Sequence, residues 1–264
     1  MGSFLRDEYI RNVTIDEDAL QGVSEYFQGR ASQLDAAQQQ HQEKEHVFVT
    51  YIIRSDNKGY RFTSYDDIRK FYIQAKEVER VIFTLESGES LRSNRMFGTY
   101  MELRLDSRDM SNCILVASSE DQNWVDSAFS CVSELIKKQT NKNRFIRNAW
   151  THFLVQIAGV CLGFVLSLWA GIKAAPHLAI ENAFVVSFLF AFLVFSNVWT
   201  YLNERIHFIL NYYFPNLFFC RKGKDTLHWL LQTVVGGVVL AIALFLLDKA
   251  FSFVGRIVGE FIAK

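Results

Sequence analysis

Two arginines in one short segment are the residues best suited to bind an anion. Arg92 and Arg95 stand beside Ser93 and Asn94, within residues 91–97, which separate two predicted strands. Guanidinium groups bind phosphates and carboxylates through paired hydrogen bonds, and hydroxyl and amide groups can complete such a site. We therefore predict an anion or nucleotide pocket in this loop; the alternative is a solvated loop without a ligand.

Two histidine–glutamine pairs stand at the beginnings of two apolar segments. His152 precedes Gln156 in the first segment, and His228 precedes Gln232 in the last. Histidine titrates near neutral pH, and ionisable groups in membrane segments often mark a functional path. The four side chains could form a polar ring at the mouth of a pore, or they could bind headgroups and neighbouring helices.

The sequence contains no recognised catalytic motif. A nucleophile elbow, a P-loop, a dinucleotide fingerprint and a histidine pair with metal-ligand spacing are all missing. The four cysteines are widely spaced, which argues against a disulfide framework or a zinc site. We therefore expect no enzyme activity, no cofactor and no metal. An enzyme acting on lipid is kept as an alternative because His207, Asp225 and His228 fall at similar depth in the predicted topology.

Charge and hydropathy divide the chain into two parts. Formal charge sums to zero and hydrophobic residues make up 50% of the chain. Charged residues nevertheless crowd the first half, whereas the second half is rich in Phe, Leu and Val. This split is typical of a soluble domain joined to a membrane region. Residues 1–12 carry several charges and no apolar run, so we expect no signal peptide there.

The part before the apolar block predicts a cytosolic α+β domain. Residues 1–45 contain an amphipathic helix, over about residues 16–30, and a Gln-rich arm. Residues 46–140 then follow the order β-β-α-β-β-β-α, and the turn at residues 55–59 joins the first two strands as a hairpin. Short connections between the last strands favour an antiparallel sheet with helices packed on it.

Three segments of the second part are long and apolar enough to cross a bilayer, and they predict an all-α transmembrane region over residues 150–249. The predicted spans are residues 150–172, 183–202 and 227–247.

Two further segments are apolar but do not suit a crossing. Residues 206–220 are short and interrupted, so we predict a helix lying in the membrane interface. Residues 250–264 have the pattern of a short amphipathic helix.

Basic residues flank the apolar block on one predicted side. A collar at residues 141–149 comes immediately before the first span. The cations expected at the membrane surface are Lys137, Lys138, Lys142, Arg144, Arg147, Arg221, Lys222 and Lys224. Positive flanks stay cytoplasmic, and each attracts anionic headgroups with about 1 kcal/mol. We therefore expect a cytoplasmic N-terminal domain and contact with anionic lipid, and no nucleic acid.

Small residues form a stripe along the first span. They recur at steps of four, which places them on one face of a helix where a second helix can approach closely. The stripe is Gly159, Gly163, Ser167 and Gly171. The third span contains a loosely similar pair, Gly236 and Gly237. The contact could lie within one chain or between copies, and we expect a homo-oligomer.

These features predict an integral membrane sensor or effector. Its cytosolic domain would bind a protein, a nucleotide or another small molecule and would act on an oligomeric helix bundle. A channel and a membrane-disrupting defence effector are specific cases. The alternative is a membrane-anchored scaffold, which recruits a cytosolic partner without activity of its own.

Overall fold

A computed structural model of the chain describes residues 3–40 and 46–221, with isolated positions between 233 and 256. The chain divides into two compact units. Met1–Arg144 and Pro215–Thr226 form the first unit, here called the head. Phe145–Phe214 and Leu227–Lys264 form the second, here called the helical unit.

The described part of the head contains both strands and helices. The strands are β1 (Phe4–Tyr9), β2 (Val13–Ile15), β3 (Val47–Ser55), β4 (Lys58–Phe62), β5 (Val78–Ser87), β6 (Tyr100–Asp106), β7 (Ile114–Ser119) and β8 (Leu217–Phe219). The helices are α1 (Glu17–Gln40), α2 (Tyr65–Gln74), α3 (Gly88–Arg92) and α4 (Gln122–Lys137).

The head is organised around a six-stranded sheet in the order β1-β7-β6-β5-β3-β4. Every neighbouring pair in this sheet is antiparallel. The predicted α+β class and antiparallel sheet are confirmed, and β3 and β4 form the expected hairpin. A separate two-stranded parallel sheet joins β2 to β8.

One face of the large sheet forms the core of the head. Successive strand residues point to opposite faces, so Phe83 of β5 and its cross-strand partner Leu103 of β6 lie on the same side. Both side chains are fully buried. Helices cover this face: the ring of Phe27 in α1 lies 5.8 Å from that of Phe83, and Phe129 of α4 is buried as well.

The N-terminal residues form a strand that was not predicted. β1 forms one edge of the large sheet, where Phe4 lies opposite Ser119 and Tyr9 opposite Ile114. The sequence reading missed this strand because its side chains are charged or exposed along its whole length and show no buried alternation. α1 also runs beyond the predicted residue 30, through glutamines and alanines that favour helix.

The prediction of an interfacial helix at residues 206–220 is wrong. Residues 206–213 continue the preceding helix, which ends at Tyr213. The chain then returns to the head, where Leu217–Phe219 forms β8 beside β2. The apolar side chains that suggested a membrane interface are instead core residues, since Leu217 and Phe219 are buried in the head.

The described part of the helical unit consists mainly of α5 (Ala149–Ala174) and α6 (Ala183–Tyr213), joined by a short segment that contains Pro176. Both are long and apolar enough to cross a membrane, and only 11% and 6% of their most apolar stretches are buried. Two candidate spans are therefore present in the described residues. The predicted third span at residues 227–247 and the amphipathic helix at residues 250–264 lie outside them, apart from isolated positions.

Candidate functional site

Within the head, the segment that precedes α5 in the chain and the segment that follows α6 meet at one group of asparagines, here called the asparagine clamp: Asn12, Asn141, Asn143 and Asn216. Asn216 follows α6 and is buried. Its Oδ1 accepts a hydrogen bond from the Asn12 N–H at 2.9 Å, and its Nδ2 donates to the Ile10 carbonyl at 3.2 Å. The Val13 N–H donates to the Asn216 carbonyl at 2.9 Å. One asparagine therefore fixes the returning chain to the turn between β1 and β2.

The chain that leads into α5 is fixed to the same turn. The Asn141 N–H donates to the Asn12 carbonyl at 2.8 Å. Asn143, also buried, donates from Nδ2 to the Pro215 carbonyl at 3.0 Å. Asn12 has φ 57°, a left-handed conformation that asparagine tolerates better than most residues. The two head segments that precede α5 and follow α6 in the chain are thus held together at Asn12.

The parallel pair of β2 and β8 extends this attachment. Ile15 lies opposite Phe219, and Val13 lies opposite Leu217. All four side chains are buried in the head core. The Tyr72 hydroxyl donates to the Ile15 carbonyl at 3.2 Å, which ties α2 to the same pair. The attachment therefore combines buried apolar area with directed hydrogen bonds.

Arg221 lies just beyond β8 and was predicted to bind the membrane surface. In the structure its Nη1 donates to the carbonyls of Ala75 and Lys76 at 2.5 and 3.1 Å. These carbonyls follow the end of α2, where a cation is favoured by the helix dipole. The described contacts of Arg221 are thus structural ones within the head. Lys222 and Lys224 lie outside the described residues.

Arg147 of the collar binds the end of a helix in the helical unit. Its Nη1 donates to the Asn211 side chain at 2.7 Å and to the Phe214 carbonyl at 3.0 Å. Burial lowers the pKa of the Arg147 guanidinium from its ordinary value. Arg147 therefore joins the start of α5 to the end of α6.

The other predicted surface cations are placed more simply. Lys137 is exposed and lies 3.5 Å from Glu8. Lys138 and Arg144 are exposed, and Lys142 begins a short 3-10 helix before α5. Exposed cations near the start of α5 are compatible with contact to anionic headgroups, which stays a prediction.

The small-residue stripe of α5 packs against α6 of the same chain. A Cβ on Gly159 would overlap the indole of Trp199, and a Cβ on Gly171 would lie 3.2 Å from the Cβ of Phe188. Ser167 is fully buried and donates to the Gly163 carbonyl at 2.6 Å. In the described structure this stripe is therefore a contact between two helices of one chain.

The histidine at the start of α5 meets a histidine of α6. The rings of His152 and His207 are stacked with centroids 4.3 Å apart, and Nδ1 of His152 lies 3.3 Å from Nε2 of His207. The predicted ring joined His152 to His228, which lies outside the described residues, as does Gln232. Gln156 is exposed one turn further along α5. The pairing with His207 was missed because spacing along one helix does not identify its neighbour.

Polar atoms continue along the same face of α6. Trp199, Asn203 and His207 recur at steps of four residues, which places them in one row. The Trp199 Nε1 and the Asn203 Oδ1 are buried, and neither has a hydrogen-bond partner among the described residues. The contact of α5 with α6 is therefore polar at its His152 end and made of glycine, serine and phenylalanine further along.

The predicted anion loop is closed by ion pairs of the head itself. Arg95 Nε lies 2.7 Å from Glu86, and its Nη1 lies 3.2 Å from Glu102. The Arg95 guanidinium also lies over the Tyr100 ring, 4.2 Å from its centroid. An anion would have to displace these carboxylates to reach Arg95. The geometry therefore gives this side chain the role of holding the loop on the sheet.

The neighbours of Arg95 support that role. Burial, together with a 2.5 Å hydrogen bond to Glu102, raises the pKa of the Tyr100 hydroxyl above its ordinary value. Ser93 Oγ accepts from the Phe97 N–H at 3.0 Å, and Asn94 has φ 53° at the turn. Arg92 ends α3 with an exposed side chain. The predicted pocket residues are thus close in space, but their described hydrogen bonds are internal.

Gly236 and Gly237 belong to the helical unit. A Cβ on Gly236 would lie 3.9 Å from the Phe214 ring, and one on Gly237 would meet nothing within 4 Å of the described atoms. Among the described residues, no group of three or more His, Cys, Asp or Glu side chains is arranged to hold a metal ion.

Comparison with known proteins identifies no relative. The chain matches no protein-family model, no curated protein and no solved structure. Its function is therefore argued from the geometry of the head, the helices and the clamp.

Proposed function

We propose that this protein is an integral membrane sensor or effector, whose cytosolic head binds a ligand or partner and acts on membrane-spanning helices. The observation that carries this proposal is the asparagine clamp. It ties the residues before α5 and the residues after α6 to one turn of the head at Asn12. A change in the head at this turn would reach both ends of the hairpin at once.

The surfaces of α5 and α6 support a location in the bilayer. Large apolar side chains remain exposed along both helices, among them Trp150 and Phe190, each with 70% of its surface exposed. Exposing apolar surface to water costs about 25 cal/mol per Å². Hydrocarbon removes this cost, and a helix satisfies its own backbone hydrogen bonds there.

The positive collar supports a cytosolic head. Lys138 and Arg144 are exposed and precede α5 in the sequence, and segments rich in Lys and Arg next to a span stay on the cytosolic side. Anionic headgroups would then lie beside the clamp. In this arrangement, lipid composition would affect the same junction as a ligand of the head.

Oligomerisation is a separate part of the proposal. Because the small-residue stripe is used within the chain, association of hairpins would have to use outward residues of α5 and α6. Phe190 and Leu193 are exposed examples on α6. A closed oligomer would give the bundle a path for ions, whereas a single hairpin has no such path.

The proposal is tested with full-length protein in liposomes that contain anionic lipid. We expect the protein to resist extraction by alkaline carbonate, and protease added on the cytosolic side to digest the head. We expect leakage of a small anionic dye that changes when ATP or GTP is added. Material that stays monodisperse in buffer without detergent would overturn the membrane assignment.

A clamp variant separates an effector from an anchor. Asn216→Ala removes both side-chain hydrogen bonds of Asn216, and we expect insertion to persist while dye leakage changes. Asn123→Ala, at an exposed asparagine of α4, is the matched control and should leave leakage unchanged. Insertion without leakage under every condition would contradict the effector and favour the scaffold.

A further inference from the structure

β1 is an edge strand of the large sheet, and no described strand pairs with its outer edge. In the part of the chain that the structure describes, β1 pairs with β7 and lies at the end of the strand order. Every residue of the strand is exposed, including Leu5 at 66% and Tyr9 at 53%. An edge strand of this kind carries backbone groups that can pair with another strand.

The hydrogen-bond pattern tells which backbone groups face outward. The Ile10 N–H donates to the Cys113 carbonyl, so Ile10 points its backbone groups towards β7. In antiparallel pairs this direction alternates, and Glu8 and Arg6 therefore also bond to β7. Leu5, Asp7 and Tyr9 direct their N–H and carbonyl groups away from β7, towards the open edge.

We propose that this edge binds a second copy of the chain, with the two β1 strands antiparallel about a two-fold axis at Asp7. In this register Leu5 lies opposite Tyr9 of the second copy, and Asp7 lies opposite Asp7 of the second copy. These are the residues whose backbone groups face outward, so the ladder closes without a bulge. The two six-stranded sheets become one continuous sheet.

Charge complementarity selects the second copy as the occupant. In the proposed register Arg6 lies opposite Glu8 of the second copy, and Glu8 lies opposite its Arg6. Opposite charges at such cross-strand positions are stabilising, and like charges are destabilising. Both side chains lie on the helix-covered face, where Arg6 forms an ion pair with Asp126 and Glu8 forms one with Lys137. Each keeps about half of its side-chain surface exposed, 46% for Arg6 and 45% for Glu8, for a second contact.

The alternatives at the sheet edges lack this complementarity. A shift of β1 by two residues would place Arg6 opposite Arg6 of the second copy. The other edge strand, β4, carries Lys58 and Arg61 and no acidic residue, so its self-pairing would bring cations together without an ion pair. Self-association is therefore specific to β1 and to one register.

Charge reversal tests the pairing on the full-length protein in detergent, with particle mass measured against concentration. Arg6→Glu and Glu8→Arg each place like charges opposite one another twice, and we expect each to raise the dimer dissociation constant by about tenfold or more. The double variant restores opposite charges between copies, but not the pairs with Asp126 and Lys137 within the chain. Recovery of the dimer in the double variant supports the proposal, and no recovery would overturn it.

The residue on the axis gives a test with the opposite sign. Two Asp7 carboxylates face each other there, so Asp7→Asn should tighten the dimer. A wild-type chain that is monomeric at every concentration, and stays so as Asp7→Asn, would overturn the proposal.

Cross-linking tests the register in a chain whose exposed Cys131 and Cys161 are changed to Ser. Hydrogen-bonded antiparallel pairs have Cα atoms about 5.5 Å apart, which suits a disulfide. Asp7→Cys should therefore give a covalent dimer on mild oxidation, while Arg6→Cys should not. A covalent dimer from Arg6→Cys alone would overturn the register. The parent chain without added cysteine is the control. A cross-link at position 7 reports on the edge of the head alone, so its outcome is independent of any leakage measured in liposomes.

Discussion

The side chains that are fully buried differ between the two units. In the head they are large, such as Tyr51, Phe83 and Leu103. In the helical unit the buried residues of α5 are Gly159, Ser167 and Gly171, while many large apolar residues, such as Phe190 and Leu193 of α6, are exposed. The head thus buries large apolar side chains, as proteins that fold in water do. The helical pair instead buries small residues and exposes many large apolar ones.

This difference is what the proposed location of α5 and α6 in a membrane predicts. In water, burying large apolar side chains is the main favourable contribution to folding. Between helices in hydrocarbon that contribution is missing, because lipid is as apolar as leucine, and small residues that allow close packing take its place. Substitutions in each unit test this difference.

Truncating a large residue should damage the head most. Phe83 of β5 is fully buried against α1, and Phe83→Ala should lower the free energy of unfolding by about 3–5 kcal/mol. Chemical denaturation of the full-length protein in detergent measures this change, in a background where the other four tryptophans are changed to Phe so that the fluorescence reports on Trp124 in α4. Phe48→Ala on neighbouring β3, where 47% of the side chain is exposed, is the control and should cost about 0.5 kcal/mol or less. Similar losses for both variants would mean that the head core is not organised as described.

The head also shows which parts of a fold the sequence predicts. The β3–β4 hairpin was predicted because its turn and its apolar strands are local signals. β1 carries Arg6, Asp7 and Glu8 in succession, so its place in the sheet depends on β7, more than 100 residues away. Local pattern does not contain that information. β8 was misassigned for a related reason, because Leu217 and Phe219 are apolar whether they face lipid or the head core.

Enlarging a small residue should damage the helical pair. A Cβ at position 159 would overlap Trp199, so Gly159→Ala should force α5 and α6 apart and cost about 1–3 kcal/mol. Unfolding of the full-length protein in SDS, followed by tryptophan fluorescence, measures the loss. Gly163→Ala is the matched control, because its Cβ would lie 3.9 Å from that of Phe195, an ordinary contact. Equal stability of the two variants would contradict the packing of α5 on α6.

Removing a bond of the clamp should give an intermediate effect on the head. Asn216→Ala removes the hydrogen bonds with Asn12 and Ile10 and leaves those backbone groups buried. We expect the head to lose about 1–3 kcal/mol. The chemical denaturation used for Phe83→Ala measures this loss. If the unfolding of the head were unchanged, the pairing of β2 with β8 would fix the returning chain without Asn216.

The candidate site was predicted less completely than the fold. The stripe from Gly159 to Gly171 was found because small residues at steps of four are visible in the sequence. The partner of His152 was not predicted, because the sequence of one helix does not show which residue of another helix its side chains will contact. Asn12 and Asn216 are 204 residues apart, and a single asparagine after a helix is also common in turns that do nothing else. Their joint role depends on tertiary structure alone.

The smallest effect is expected where a polar group of the helix pair bonds within its own helix. Ser167 is fully buried, and its hydroxyl donates to the Gly163 carbonyl one turn earlier in α5. Ser167→Ala removes this donor but leaves the carbonyl in its helical hydrogen bond and keeps the contact with α6 small. We therefore expect a loss of about 0.6 kcal/mol, the average for polar contacts between membrane helices, or less. Ser167→Leu keeps no hydroxyl either, but it adds volume where α5 meets α6. In the same SDS titration it should behave like Gly159→Ala. If Ser167→Ala were as damaging as Ser167→Leu, hydrogen bonding rather than size would decide the packing, and the contrast between the two units would lose its physical basis.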